Sequence, residues 1–186
     1  VLKPSHVEAI CDGLIRMGHR FNIWAYARVD TLKNDALLDK MFRAGFNWLG
    51  VGIESASKHV RDGVEKGRFN NAAIKETVKR VQSHGINVGA NYIFGLPDDD
   101  MFSMQETLDL ACELNTEYAN FYAAMAYPGS PLHKMAREMD WALPENSVGF
   151  GGYSQHNYDT LPLPSEHVTA ANILRFRDAA FMRYFS

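Results

Sequence analysis

Residues with the chemistry to bind or react stand just after short apolar runs in this sequence. Arg28 and Asp30 close the run Phe21–Asp30, and Glu54 and Ser55 end Trp48–Ser55. Asp98, Asp99 and Asp100 follow Gly95-Leu96-Pro97, and Tyr127 to Ser130 carries a Pro-Gly turn. Glu54 is the best placed of them. Read as a strand, its run puts Trp48, Gly50, Gly52 and Glu54 on one face and Leu49, Val51 and Ile53 on the other. The first face has almost no side chains and ends on a carboxylate, which makes room for a ligand with hydrogen-bond donors. Arg28 is either the partner of Asp30 or an anion ligand. Lys66 and Arg68, flanking Gly67, either hold a carboxylate or phosphate or stand in water. The Asp98–Asp100 run reads as a solvated turn that caps a helix rather than a metal site.

Other chemistries are excluded by spacing. His84 and His133 sit where helices end, His19 and His59 are isolated, and no HxH or HExxH appears, so no metal site is expected. No GxSxG, GxxxxGK(S/T) or strand-following GxGxxG occurs. Cys11 and Cys112 are far apart, within helix-like patterns, and read as reduced, buried thiols of a cytosolic protein. The net charge of -3 argues against nucleic acid as a partner. No run is long enough to span a membrane, and the N-terminus lacks a signal-peptide layout.

The positioning elements alternate. Helices are expected over Ser5–Met17, Thr31–Ala44, Asn70 or Asn71 to His84, and Ser103–Leu114. Strands are expected over Phe21–Asp30, Trp48–Ser55, Ile86–Gly95 and Tyr118–Tyr127. That order predicts an α/β fold with right-handed βαβ units in a parallel sheet, a partial TIM-like barrel of about four βα units. In such folds functional groups gather beyond the carboxyl ends of the strands, so all the residues above share one rim. Residues 1–132 form this partial barrel, and 133–186 a C-terminal extension. The extension comprises a short helix at Leu132–Met139, a loop or lid-like segment at Trp141–Leu163, and a final helix at Ser165–Tyr184.

Gly52-Ile53-Glu54-Ser55, Lys66-Gly67, NYIFGLPDDD and AYPGSPL, in this order and spacing, resemble the second half of the radical S-adenosylmethionine (SAM) enzymes. WAYARVDTL fits the branch that often carries a cobalamin-binding domain upstream. The resemblance runs from about Ala25 to Leu132. It implies that Glu54 reaches the SAM ribose hydroxyls, with Ser55 beside it. Lys66, or alternatively Arg28, pairs with the methionine carboxylate. Asn91, Ile93, Gly95 and Asp98 fall on the family's GxIxGxxE strand, which packs on adenine; Asn91 replaces the first Gly and Asp98 the Glu. Tyr127 and Pro128 belong to the turn over the adenine edge. The family's cofactors are SAM and a 4Fe-4S cluster held by a CxxxCxxC loop, with cobalamin possible in the branch.

That loop is absent from this sequence, as is the Gly-Gly-acidic segment that would hold the SAM amino group. The expectation is therefore a fragment of a longer Fe-S oxidoreductase or methyltransferase-like parent, unable to cleave SAM alone. A CxxxCxxC is expected roughly 80 to 100 residues before Ala25, two βα units away. A cut sheet exposes an edge and an inner face, so Trp24, Tyr26, Asn91 and Tyr122 should meet another copy or the missing half. The substrate, a small molecule or a peptide, is not legible. Two alternatives remain open at this point: a non-catalytic α/β scaffold, and an ordinary TIM-barrel enzyme taking a phosphorylated substrate.

Overall fold

The computed structural model describes residues 3–64, 69–155, 157–160 and 162–186. Its elements are α1 (Pro4–Met17), β1 (Ile23–Arg28), α2 (Asp35–Arg43), β2 (Phe46–Glu54), α3 (Lys58–Gly63) and α4 (Asn71–Ser83). They continue with β3 (Asn87–Phe94), α5 (Met101–Leu114), β4 (Tyr118–Ala123), α6 (Pro131–Glu138) and α7 (Ala170–Tyr184). The strands form one sheet in the order β1-β2-β3-β4, every pairing parallel.

Local chemistry sets the boundaries. Asn34 caps α2, accepting from the Leu37 amide at 3.1 Å. The helix expected from Thr31 therefore begins at Asp35, and Val29–Thr31 forms a separate 3-10 turn. Asn70 caps α4 in the same way, at 2.8 Å to the Ala73 amide. The final helix starts at Ala170 rather than Ser165, because Thr169 is its cap and the Ser165 hydroxyl donates to the Asp99 carbonyl at 2.6 Å. Helix α3 has no counterpart among the expected elements. Ladder pairing in β4 stops at Ala123, short of the expected Tyr127.

One face of the sheet is the core. Leu49, Val51 and Ile53 of β2 are sealed, as are Val88, Ala90, Tyr92 and Phe94 of β3 and Ala119 and Phe121 of β4. Each large side chain buried this way contributes roughly 1.5–3 kcal/mol. Phe94 and Phe121 stack at 5.6 Å, and α7 adds Phe176 and Phe181 edge-on, so the last helix packs into the same core as the strands. Cys11 is buried there, but Cys112 is exposed: it falls on the outer side of α5, against the expectation of two buried thiols.

The opposite, concave face has layers. At the amino ends of the strands Trp24 stacks on Trp48 at 5.3 Å. The glycine-cleared strip above, expected to have almost no side chains and to make room for a ligand, is covered in part by Trp24 and Tyr26. A Cβ on Gly89 would lie 2.9 Å from the Trp24 ring, and one on Gly50 would lie 2.8 Å from the Tyr26 ring. The aromatics of β1 lie across the glycines of its neighbours because that is the apolar surface within reach. Next comes a polar row in register, Arg28–Gly52–Asn91–Asn120. Asn120 donates its amide to Asn91 at 3.0 Å.

Candidate functional site

Glu54 stands at the carboxyl end of β2, where the pairing with β3 slips between Gly52 and Glu54. Its φ is 69°, a left-handed conformation that costs a non-glycine residue about 1–2 kcal/mol. Such a bulge re-aims a side chain. Here the carboxylate turns back over the concave face, with Oε1 2.8 Å from where a Gly52 Cβ would be. Gly52 has to be glycine for Glu54 to sit there. The carboxylate lies over the polar row, and its field helps hold the Arg28 guanidinium in its charged form. Arg28 itself grips Asp30 through Nε and Nη2, each at 3.0 Å, and this pair is the main reason its pKa is raised.

Ser55 does something else. It is fully buried, and its hydroxyl lies 3.1 Å from Thr107 Oγ1 on α5, away from the concave face. Thr107 also accepts from the Ala56 amide at 2.9 Å. Behind the same turn, the Arg61 guanidinium donates to the Ser55 carbonyl and, at 2.9 Å, to the Phe69 carbonyl. Lys66 lies outside the described residues.

Next along the rim is Gly95, with φ 78°. The Gly95 and Leu96 amides donate to Asp99 Oδ2 at 3.0 and 3.1 Å, and the Ser103 hydroxyl donates to Oδ1 at 2.6 Å. Asp99 is thus a buried clasp of this turn, not part of a solvated run. Burial pushes its carboxyl up to about 6, against the pull of those three hydrogen bonds. Asp100 caps α5 in a reciprocal box with Ser103. Asp98 packs its carboxylate against Gly63 at the end of α3.

Beyond β4, a cavity of about 310 Å³ is lined by Ile93, Leu96, Tyr122, Met125, Tyr127 and Gln155. An apolar cleft of about 590 Å³ adjoins it, also lined by Met125, Tyr127 and Leu132. Tyr127 is exposed and meets Tyr153 edge-on at 5.3 Å; Pro128 is exposed beside it. Gln155 and Tyr153 had no signal in the sequence. Tyr153 donates to the Ala126 carbonyl at 3.0 Å, so Tyr153 and Gln155 form one wall of this end of the rim. Another groove, of about 690 Å³, lies between α3, α4 and α5, and its Lys75 and Glu113 are paired at 2.6 Å.

The structure thus gathers Arg28, Glu54, Asn91, Ile93, Gly95 and Tyr127 along neighbouring strand ends. It turns the Ser55 side chain away from them and puts Asp98 behind Gly63. The rim offers a carboxylate over a glycine at one end and, at the other, an apolar cavity beside the Gly95 turn, whose amides are held by Asp99.

Residues 12–111 match the sequence profile of the radical SAM superfamily. The chain is 25% identical over 161 residues to an uncharacterised methyltransferase of Pyrococcus horikoshii, covering 87% of this chain and 33% of that protein. It is 26% identical over 167 residues to the anaerobic magnesium-protoporphyrin IX monomethyl ester cyclase of Cereibacter sphaeroides, covering 88% of this chain and 26% of that protein. The chain therefore spans about a third and about a quarter of the length of these relatives. Its fold is similar to that of TsrM, a radical SAM methyltransferase of Kitasatospora setae solved with cobalamin and a 4Fe-4S cluster bound. The TM-score is 0.64 at 18% identity, over 73% of this chain and 26% of that one. The four parallel units are a partial TIM-like barrel of that type.

Proposed function

The chain belongs to the radical SAM superfamily, and from that premise we propose that it is the SAM-binding half of a longer Fe-S enzyme. The family uses SAM and a 4Fe-4S cluster. The residues present fit the first. Glu54 accepts from the ribose hydroxyls, Ile93 and the Gly95 turn carry adenine, and Tyr127 and Pro128 close over its edge. Arg28, or Lys66, answers the methionine carboxylate. The observation that carries this reading is the Glu54 carboxylate folded over Gly52 above the Arg28–Gly52–Asn91–Asn120 row. The cluster does not fit: this sequence has two cysteines, one buried in the core and one exposed, and no group of metal-holding side chains occurs among the described residues.

The contribution of this chain is binding and orientation. Glu54 and the rim hold the nucleoside across the strand ends, and the Arg28–Asp30 pair keeps a cation beside it. In a longer protein, a cluster held by residues outside this chain would supply an electron to SAM, while Glu54 and Arg28 would hold and orient the bound nucleoside. The methyltransferase relative and the likeness to TsrM support a methyl-transferring parent with cobalamin upstream. This half alone is not a catalyst.

Calorimetric titration of the chain with SAM tests the site. Hydrogen bonds to a charged group are worth about 1.5–3 kcal/mol, so Glu54→Ala should weaken binding by about tenfold or more. Equal affinity for the native chain and for Glu54→Ala would overturn the assignment.

A further inference from the structure

Arg61 is fully buried, the largest side chain sealed inside the described structure, and the binding reading gives it no role. Its guanidinium donates to the Ser55 carbonyl, to the Phe69 carbonyl at 2.9 Å and to Asn71 Oδ1 at 3.3 Å. It also lies 5.4 Å over the Phe69 ring, while its Nε is buried without a hydrogen-bond partner. Burial lowers its pKa from the ordinary arginine value. Sealing a cation among neutral acceptors costs several kcal/mol, and an apolar residue would fill the space at less cost. Stability alone does not account for an arginine here.

Its contacts do. Ser55 follows Glu54 directly, and Glu54 is in the left-handed conformation that sends its carboxylate over Gly52. A backbone in that conformation relaxes unless its surroundings hold it. Arg61 holds the carbonyl just after it from one side. Thr107 holds the Ser55 hydroxyl and the Ala56 amide from the other. The second anchor of Arg61, Phe69, leads into α4, so one planar fork on α3 ties the end of β2 to the approach to α4. Lysine carries the same charge but no rigid fork that spans two carbonyls.

We propose that Arg61 is a positioning residue for Glu54: by clamping the Ser55 carbonyl to the Phe69 carbonyl it keeps the Glu54 carboxylate aimed at the ribose hydroxyls of an adenosyl ligand. This rests on the assignment of Glu54 to the ribose. The readout is selectivity rather than stability. The chain is titrated with S-adenosylhomocysteine and with its 2′,3′-dideoxy analogue, and the ratio of the two affinities is compared among native, Glu54→Ala, Arg61→Met and Arg61→Lys chains. The native chain should favour the ribose-bearing ligand by about tenfold or more, as expected for hydrogen bonds to a carboxylate. Glu54→Ala should remove that preference, and both Arg61 variants should reduce it to within about threefold of unity, a loss of at least half of the roughly 1.4 kcal/mol that tenfold represents. Should Arg61→Met fail to fold, Arg61→Lys carries the comparison. A preference that Glu54→Ala leaves intact refutes the ribose assignment and the inference with it. A preference lost in Glu54→Ala but kept in folded Arg61→Lys refutes the inference alone.

Discussion

At the scale of single residues, Asp99 closes its part of the rim through partners three and four residues away. Its folded carboxyl titrates at about 6, above the value of ~4 for an unfolded aspartate. Between those values the unfolded chain has released the proton that the folded chain still holds. Raising the pH through that window therefore lowers stability, and the penalty is complete above it. Asp99→Asn should lose this decline while its amide oxygen still accepts from Gly95 and Leu96. Asp99→Ala should cost about 1–3 kcal/mol near pH 4, because two buried amides lose their acceptor, and the difference from the native chain should shrink as the pH rises to 7. Urea melts from pH 4 to 7 measure both, and superimposable pH profiles for native and Asn chains would sink the idea. Glu54 was legible in the sequence because glycines two and four residues before it mark a cleared face. The turn of Ser55 toward Thr107 was not, because their contact spans 52 residues and depends on how α5 docks. Arg61 was hidden for the same reason: nothing in a six-residue helix tells a buried guanidinium from an exposed one.

Among elements, the helices and strands with strong periodicity were readable, since the sealed faces of β2 and β3 follow the alternation residue by residue. The ends were less so, because caps such as Asn34 and Thr169 compete with earlier candidates, and α3 buries only Val60 and Arg61. Gln155 lies in a stretch that reads only as a loop, yet it finishes the sheet. Gln155 Oε1 accepts from the Ala123 amide at 2.9 Å, and its Nε2 donates to the Ala123 carbonyl at 3.1 Å, as a neighbouring strand would. Arg177 of α7 holds the Gln155 carbonyl at 2.7 Å. Gln155→Ala should speed hydrogen exchange at the Ala123 amide by about tenfold, the loss of two hydrogen bonds each worth about 0.5–1.5 kcal/mol. Exchange at Val51, in mid-sheet, should not change. Equal protection of Ala123 in both chains would show that Gln155 is incidental.

At the level of the whole molecule, four parallel units leave β1 on an edge and its aromatics in view: Trp24 is 45% exposed and Tyr26 69%. Exposed edges of this kind pair with another chain unless charge blocks them. Sedimentation equilibrium should show a concentration-dependent dimer that Tyr26→Lys abolishes; a monomer up to about 100 μM would refute pairing through β1. The cofactor arithmetic also belongs to this scale. A cluster of the family's kind needs three thiolates, and this chain has two cysteines. Anaerobic reconstitution with iron and sulfide should leave it without a cluster spectrum, and stoichiometric iron with such a spectrum would contradict the half-enzyme reading.

Gln155 also gives the sheet a direction of growth. Its amide stoppers the free side of β4 at the carboxyl end, while the ladder of β1 from Ile23 to Arg28 stands open. Further strands can be laid down beside β1 but meet a finished border at the rim end of β4. The fold is a tile with one raw side, and any piece that completes its barrel has to be cut to fit that side.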